Sequence, residues 1–244
     1  MSCETVLDEL ATVAAEGWAG IRDGPYWAHV IANGVDRRLY VATMVELYHY
    51  TRHNSINQAF ATWRVAPEDS ELLSYCYRHA DDELGHERMI LNDLESFGVP
   101  ADEAVSGDPM PATQALMGYL YGVGLHQGAV ARLGYSYWAE SSYEHIGELV
   151  GHAQSDLDLA PQQMTFFLAH QDLDTTHAEE VRRMISRFVR TDEEHRQVKG
   201  VARTTLYLTG QILDNVIRAY CAAESSERDQ RRPDGPVHVP CRSL

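Results

Sequence analysis

Apolar residues recur along most of this chain at offsets of three and four, the period of helices with one buried face, and no stretch alternates as a strand does. The pattern predicts a first helix over 4–18, followed by the turn-prone Arg22-Asp23-Gly24-Pro25. A short helix holding Tyr26, Trp27 and Val30 ends at Asn33-Gly34. A long amphipathic helix covers 36–62, and Pro67-Glu68-Asp69-Ser70 opens another over 69–97, stopped by Gly98 and Pro100. After a loop at 99–112, helical patterning resumes from Ala112 to 153, with glycines at 118, 122, 124, 128 and 134 that permit close packing or a kink. Ala160-Pro161 starts a helix over 161–189, and Thr191-Asp192-Glu193-Glu194 reads as the capping sequence of a last helix ending near Ala223. From Ser225 the periodicity fails, so 225–244 is expected to be a disordered tail behind a single helical domain over 1–224. The expected fold class is all-α, a bundle of about seven helices.

Three groups of metal-type side chains interrupt the apolar faces. His79-x3-Glu83-x2-His86 and His170-x3-Asp174-x2-His177 share one spacing, and Glu46-x2-His49-x3-His53 repeats it in the opposite order. On a helix, offsets of four and seven residues rotate by about 40° and −20°, so each triplet lines one face. The three groups hold six of the twelve histidines, which argues against scatter by chance. Apolar neighbours such as Phe166 and Phe167 point to a buried face. Burying such groups without partners costs about 1–3 kcal/mol each, a penalty that a divalent metal removes.

Helical bundles build two-metal sites from Glu-x2-His elements on two helices and a lone carboxylate from each of two more. Glu83 with His86 and Asp174 with His177 supply the first kind, and Glu46 and Glu140 are candidates for the second. Glu140 is preferred to Glu144 because it sits in Tyr137-Trp138-Ala139-Glu140-Ser141-Ser142, where an unpaired acid is costly. His49, His53 and His79 are read as ligands, as hydrogen-bond partners of ligands, or as packed core residues. No catalytic residue beyond the metal ligands is indicated. Arg52 and Arg132 are candidates for pairing with a charge on the substrate.

Charge and cysteine usage narrow the functional classes. A net charge of −16 without a basic stripe disfavours nucleic acid and anionic membrane surfaces as partners. No apolar run approaches the ~20 residues of a membrane span. The opening MSCETVLDEL carries acids where a secretory signal has basic and then apolar residues, so a cytoplasmic location is expected. Cys3, Cys76, Cys221 and Cys241 form no metal pattern, and nothing supports thiolate catalysis.

The chain resembles the haem-oxygenase-like diiron oxidases and oxygenases, within the larger superfamily of thiaminase and pyrroloquinoline-quinone synthase folds. The likeness rests on His170-x3-Asp174-x2-His177, on Ala139-Glu140-Ser141, and on Asp81-Asp82-Glu83-Leu84-Gly85-His86 ahead of Phe97-Gly98-Val99, and it spans roughly 25–220. It implies a haem-oxygenase-like fold and a non-haem site holding two Fe2+ per chain with O2 as cosubstrate. It further implies a role in specialised metabolism and a homodimer. Family members oxidise amines, amino acids or fatty acids by N-oxygenation, C–C cleavage or oxidative decarboxylation, so an amine or amino acid is the expected substrate. His86, Glu140, His170, Asp174 and His177 match ligand positions, with Glu83 or Glu46 completing the carboxylates. Some members carry glutamate where this chain has His79. The rival readings are a ferritin-like iron-handling protein and a metal-free thiaminase- or quinone-synthase-type enzyme of the same fold.

Overall fold

A computed structural model describes the backbone of residues 3–230 and the side chains of 5–169 and 176–227. Helices fill the described chain and no strand occurs in it. In order they are α1 (Cys3–Arg22), α2 (Pro25–Asn33), α3 (Arg37–Thr51), α4 (Asn54–Phe60), α5 (Ser70–Asp82) and α6 (His86–Ser96). There follow α7 (Ala101–Ala104), α8 (Pro111–His126), α9 (Ala129–Ala139), α10 (Tyr143–Leu157), α11 (Thr165–Phe188) and α12 (Asp192–Gln230). Short 3-10 turns occupy Ala61–Arg64 and Pro161–Gln163.

The all-α expectation holds, but three expected long helices are each broken. The 36–62 segment breaks after Thr51, the 69–97 segment at Glu83–Gly85, and the 112–153 segment at Gln127–Gly128 and again after Ala139. Gly85 adopts φ +95°, a left-handed conformation that ends α5 and lets α6 start in a new direction. Hydrophobic periodicity continues through these breaks, which is why the sequence reads as unbroken. The Thr191–Glu194 capping box forms as expected: Thr191 N–H donates to Glu194 Oε2 at 2.9 Å, and Glu194 N–H to Thr191 Oγ1 at 3.1 Å. α12 runs past Ser225 to Gln230, so the first residues of the expected tail are helical, and the rest of it lies outside the described residues.

Two apolar clusters form the core. One gathers Leu10, Trp18, Tyr75, Leu116, Leu133, Met184 and Val198, and the other Val30, Leu39, Met44, Ile90, Leu94 and Val216. α12 contributes to both and packs on α9, α1, α8 and α3. Its contact with α9 is close enough that Gly134 faces the backbone of Val198 directly.

Two buried carboxylates fix helix starts across the bundle. Asp93 of α6 accepts from Thr165 N–H at 2.9 Å, Thr165 Oγ1–H at 2.6 Å and Phe166 N–H at 3.0 Å, so it caps α11 from another helix. Glu46 of α3 does the same for α8, accepting from Met110 N–H and from the Thr113 hydroxyl.

Candidate metal centre

The breaks after α5 and α9 place two acids. Glu83 is the residue that ends α5 and Glu140 the residue that ends α9. Both carboxylates are buried, and they converge with His79 and His177 so that one ligating atom of each lies within 4.8 Å of the others. His79 Nε2 stands 2.9 Å from Glu140 Oε1, and His177 Nδ1 stands 3.3 Å from Glu140 Oε2. His86, the first residue of α6, lies against the other acid, its Nδ1 3.5 Å from Glu83 Oε2. Asp82, read from sequence as a solvated acid, flanks His177 Nε2 at 3.6 Å.

The structure therefore treats the sequence candidates unequally. It brings together His79, Glu83, Glu140 and His177, with His86 beside them. Glu144 is exposed, as the preference for Glu140 requires. Glu46 is not in the group: the N-terminus of α8 holds its carboxylate, and that is the physical reason for its burial. His49 is buried next to Glu46, and burial lowers its pKa. His53 is hydrogen-bonded to the Tyr121 hydroxyl at 3.0 Å, away from the group. The His170 and Asp174 side chains lie outside the described residues. Glu46→Ala is expected to lower stability by about 1–3 kcal/mol through the lost cap while leaving iron affinity unchanged. Paired melting and iron titration of this variant check it.

Electrostatics show what the site demands. Burial alone would raise the Glu140 carboxyl, but hydrogen bonds from His177 and His79 outweigh it and hold the pKa well below the usual range. Glu140 in turn pushes His177 up to about 9. Glu83 likewise raises His86, and His86 helps to hold Glu83 down against its burial. Protons on His86 and His177 thus balance the two adjoining buried carboxylates. His79 Nδ1 is buried without a hydrogen-bond partner. A buried set of two carboxylates and two imidazoles suits a first-row divalent cation, so the residues fit an iron site.

This balance has a defined pH dependence in the metal-free protein. The depressed Glu140 contributes stability above its ordinary value of 4.5 that is lost as pH falls through its folded pKa. The raised His177 contributes stability fully present below its ordinary value of 6.5 and lost as pH rises through about 9. Melting temperature is therefore expected to fall between about pH 6.5 and 9.5, and the fall should be much reduced in His177→Gln. Metal binding near pH 7 should release protons, measurable in weak buffer.

An apolar cavity of about 200 Å³ opens beside the two acids, with Glu83 and Glu140 in its wall. It is lined from α9 and α10, and from α3 and α12. Neither Arg52 nor Arg132 reaches it. Arg52 is exposed over the Tyr48 ring, and Arg132 is buried among Asn57, Gln58 and Ser136.

Residues 41–209 match the family described as iron-containing redox enzymes. The chain belongs to that family. All of the sequence candidates, from Glu46 to His177, fall within the matched span. A solved structure from Shewanella denitrificans, a domain of unknown function with a haem-oxygenase-like fold, shares 40% identity over 90% of this chain and 95% of that one, with a TM-score of 0.85. TenA homologues share the fold at low identity. The one from Pseudomonas syringae is 12% identical with a TM-score of 0.74, covering 89% of this chain and 96% of its own. The one from Pyrococcus furiosus is 13% identical with a TM-score of 0.70, covering 86% and 99%. No curated protein matches the chain. This iron-containing redox enzyme therefore has a haem-oxygenase-like all-α fold, and among its described residues no helix is long and apolar enough to cross a membrane.

Proposed function

We propose that this iron-containing redox enzyme is an O2-dependent, non-haem diiron oxidoreductase that oxidises an amine- or carboxylate-bearing metabolite. The observation that carries the reading is the adjoining pair of buried carboxylates, Glu83 and Glu140, bracketed by His79 and His177 at the wall of an apolar cavity. These four residues and His86 would hold iron, and His170 and Asp174 of α11 would complete a second set of ligands. Bound Fe(II) supplies the electrons and the open coordination positions that O2 reduction needs.

The chain's own groups prepare that chemistry. Glu83 and Glu140 provide two negative charges, and His86 and His177 give up their protons to become neutral donors. The apolar walls keep bulk water from the reacting centre, which strengthens every charge interaction there. Among the described residues, Cys76 offers no ready thiolate, because burial pushes its thiol up to about 11.

Oxygen-electrode measurements on anaerobically Fe(II)-loaded protein test the reading. O2 uptake should be stimulated by amines or carboxylic acids, yield an oxidised organic product, and fall about a hundredfold or more in Glu140→Gln. Uptake that oxidises only the protein's own iron, with no organic product, would instead favour the iron-handling reading.

A further inference from the structure

Arg132 carries a buried charge that neither the cavity nor the ligand group uses. It is the only Asp, Glu, Lys or Arg between Asp108 and Glu140, and it is 2% exposed. Its hydrogen bonds go to neutral oxygens. Nε donates to Asn57 Oδ1, Nη1 to Gln58 Oε1 and to Ser136 Oγ at 3.0 Å, and Nη2 to Asn54 O at 3.5 Å. Burial lowers its pKa, and the Glu140 carboxylate is among the groups that oppose the shift. A buried charge without a counter-charge is costly, and a neutral side chain would tie α4 to α9 without that cost.

The charge is aimed along α9 towards the metal centre. Long side chains on a helix usually lean towards its N-terminus, but Arg132 reaches forward to Ser136, one turn on. The next turn ends at Glu140, whose N–H donates to Ser136 O at 3.1 Å. Two turns rise ~12 Å and the side chain covers about half of that, so guanidinium and Glu140 carboxylate lie on the order of 10 Å apart. The other acceptors belong to α4, whose Ser55 hydroxyl donates to Ala80 O of α5 at 2.6 Å. Arg132 therefore ties the helix that ends in Glu140 to the one that holds the helix ending in Glu83.

Taking Glu83 and Glu140 as the iron-holding carboxylates, as proposed above, we infer that Arg132 is a fixed positive charge that favours the ferrous form of the centre. Each electron lost from iron adds one positive charge, so a nearby cation stabilises the reduced state. At an effective dielectric constant of about 20, a unit charge about 10 Å away changes the ferric-to-ferrous ratio roughly tenfold at a fixed potential, or about 60 mV. Fe(II) is the form that meets O2 in the proposed reaction, so Arg132 keeps the resting centre ready for it.

Spectroelectrochemical titration of iron-loaded protein, read by ferric absorption, tests the inference. Arg132→Met removes the charge, whereas Gln58→Glu keeps the guanidinium and gives it a carboxylate partner. In both variants the ferric-to-ferrous ratio at a fixed potential should rise about tenfold, with iron stoichiometry unchanged. Their stabilities should part: the melting temperature falls in Arg132→Met and holds in Gln58→Glu. If Arg132→Met does not fold, Gln58→Glu decides alone. A purely structural Arg132 predicts a ratio in Gln58→Glu within twofold of the unmodified protein's, and that result would overturn the inference. The full rise seen with a single iron per chain would uphold the inference and sink the two-iron reading. Failure of the unmodified protein to bind iron would sink both.

Discussion

Glu140→Ala is expected to abolish tight iron binding, with affinity falling about a hundredfold or more. The side chain ends α9, is 8% exposed, and touches His79 and His177 at 2.9 and 3.3 Å. Removing it takes one donor from the centre and leaves two imidazoles without the acid that orients them. In the metal-free protein the loss also removes the hydrogen-bond partner of both imidazoles, which costs about 1–3 kcal/mol. His177 should then titrate closer to its ordinary value of 6.5 than to 9, because Glu140 is the main cause of its shift. NMR titration of the His177 ring, together with anaerobic iron titration, checks both halves. Iron affinity within threefold of the unmodified protein would remove Glu140 from the site.

Gly134→Ala is expected to cost about 3 kcal/mol or more, because a Cβ there would sit 2.1 Å from Val198 O and 3.0 Å from Ala202 N. Both obstacles are backbone atoms of α12, so no side chain can swing aside and the helices must separate. For a chain of this size that loss lowers the melting temperature by roughly 6–12 °C. Iron affinity should fall as well, since α9 ends in Glu140. Gly118→Ala is the control: nothing lies within 4 Å of its added Cβ, and an exposed helical alanine gains up to about 1 kcal/mol. Equal melting temperatures for the two variants would contradict the close packing of α9 on α12.

Much of the helical content and the site chemistry was legible in the sequence, because both rest on spacing. Apolar period gave the all-α bundle, and the Glu-x2-His and Tyr-Trp-Ala-Glu stretches pointed to Glu83, His86 and Glu140. Spacing could not report that helices break at those same residues. Leu84-Gly85-His86 continues the helical pattern, and only the φ of +95° at Gly85 shows that the chain turns. The turn explains why His79 joins the four-residue group while His86 packs against Glu83 from the next helix. Glu46 lies outside the four-residue group for a related reason. A buried acid near histidines looks like a ligand, but a buried acid at another helix's N-terminus is equally well satisfied, and that partner is distant in sequence. Asp93 carried no motif at all, although it holds the start of α11, the helix that bears His177.

Anaerobic Fe(II) titration tests most directly the proposal that Glu83, Glu140 and their histidines hold a two-iron centre. Saturation is expected at two irons per chain, lost in Glu140→Ala and in His177→Ala. Saturation below one iron per chain, or His170→Ala and His177→Ala binding iron as well as the unmodified protein, would contradict it.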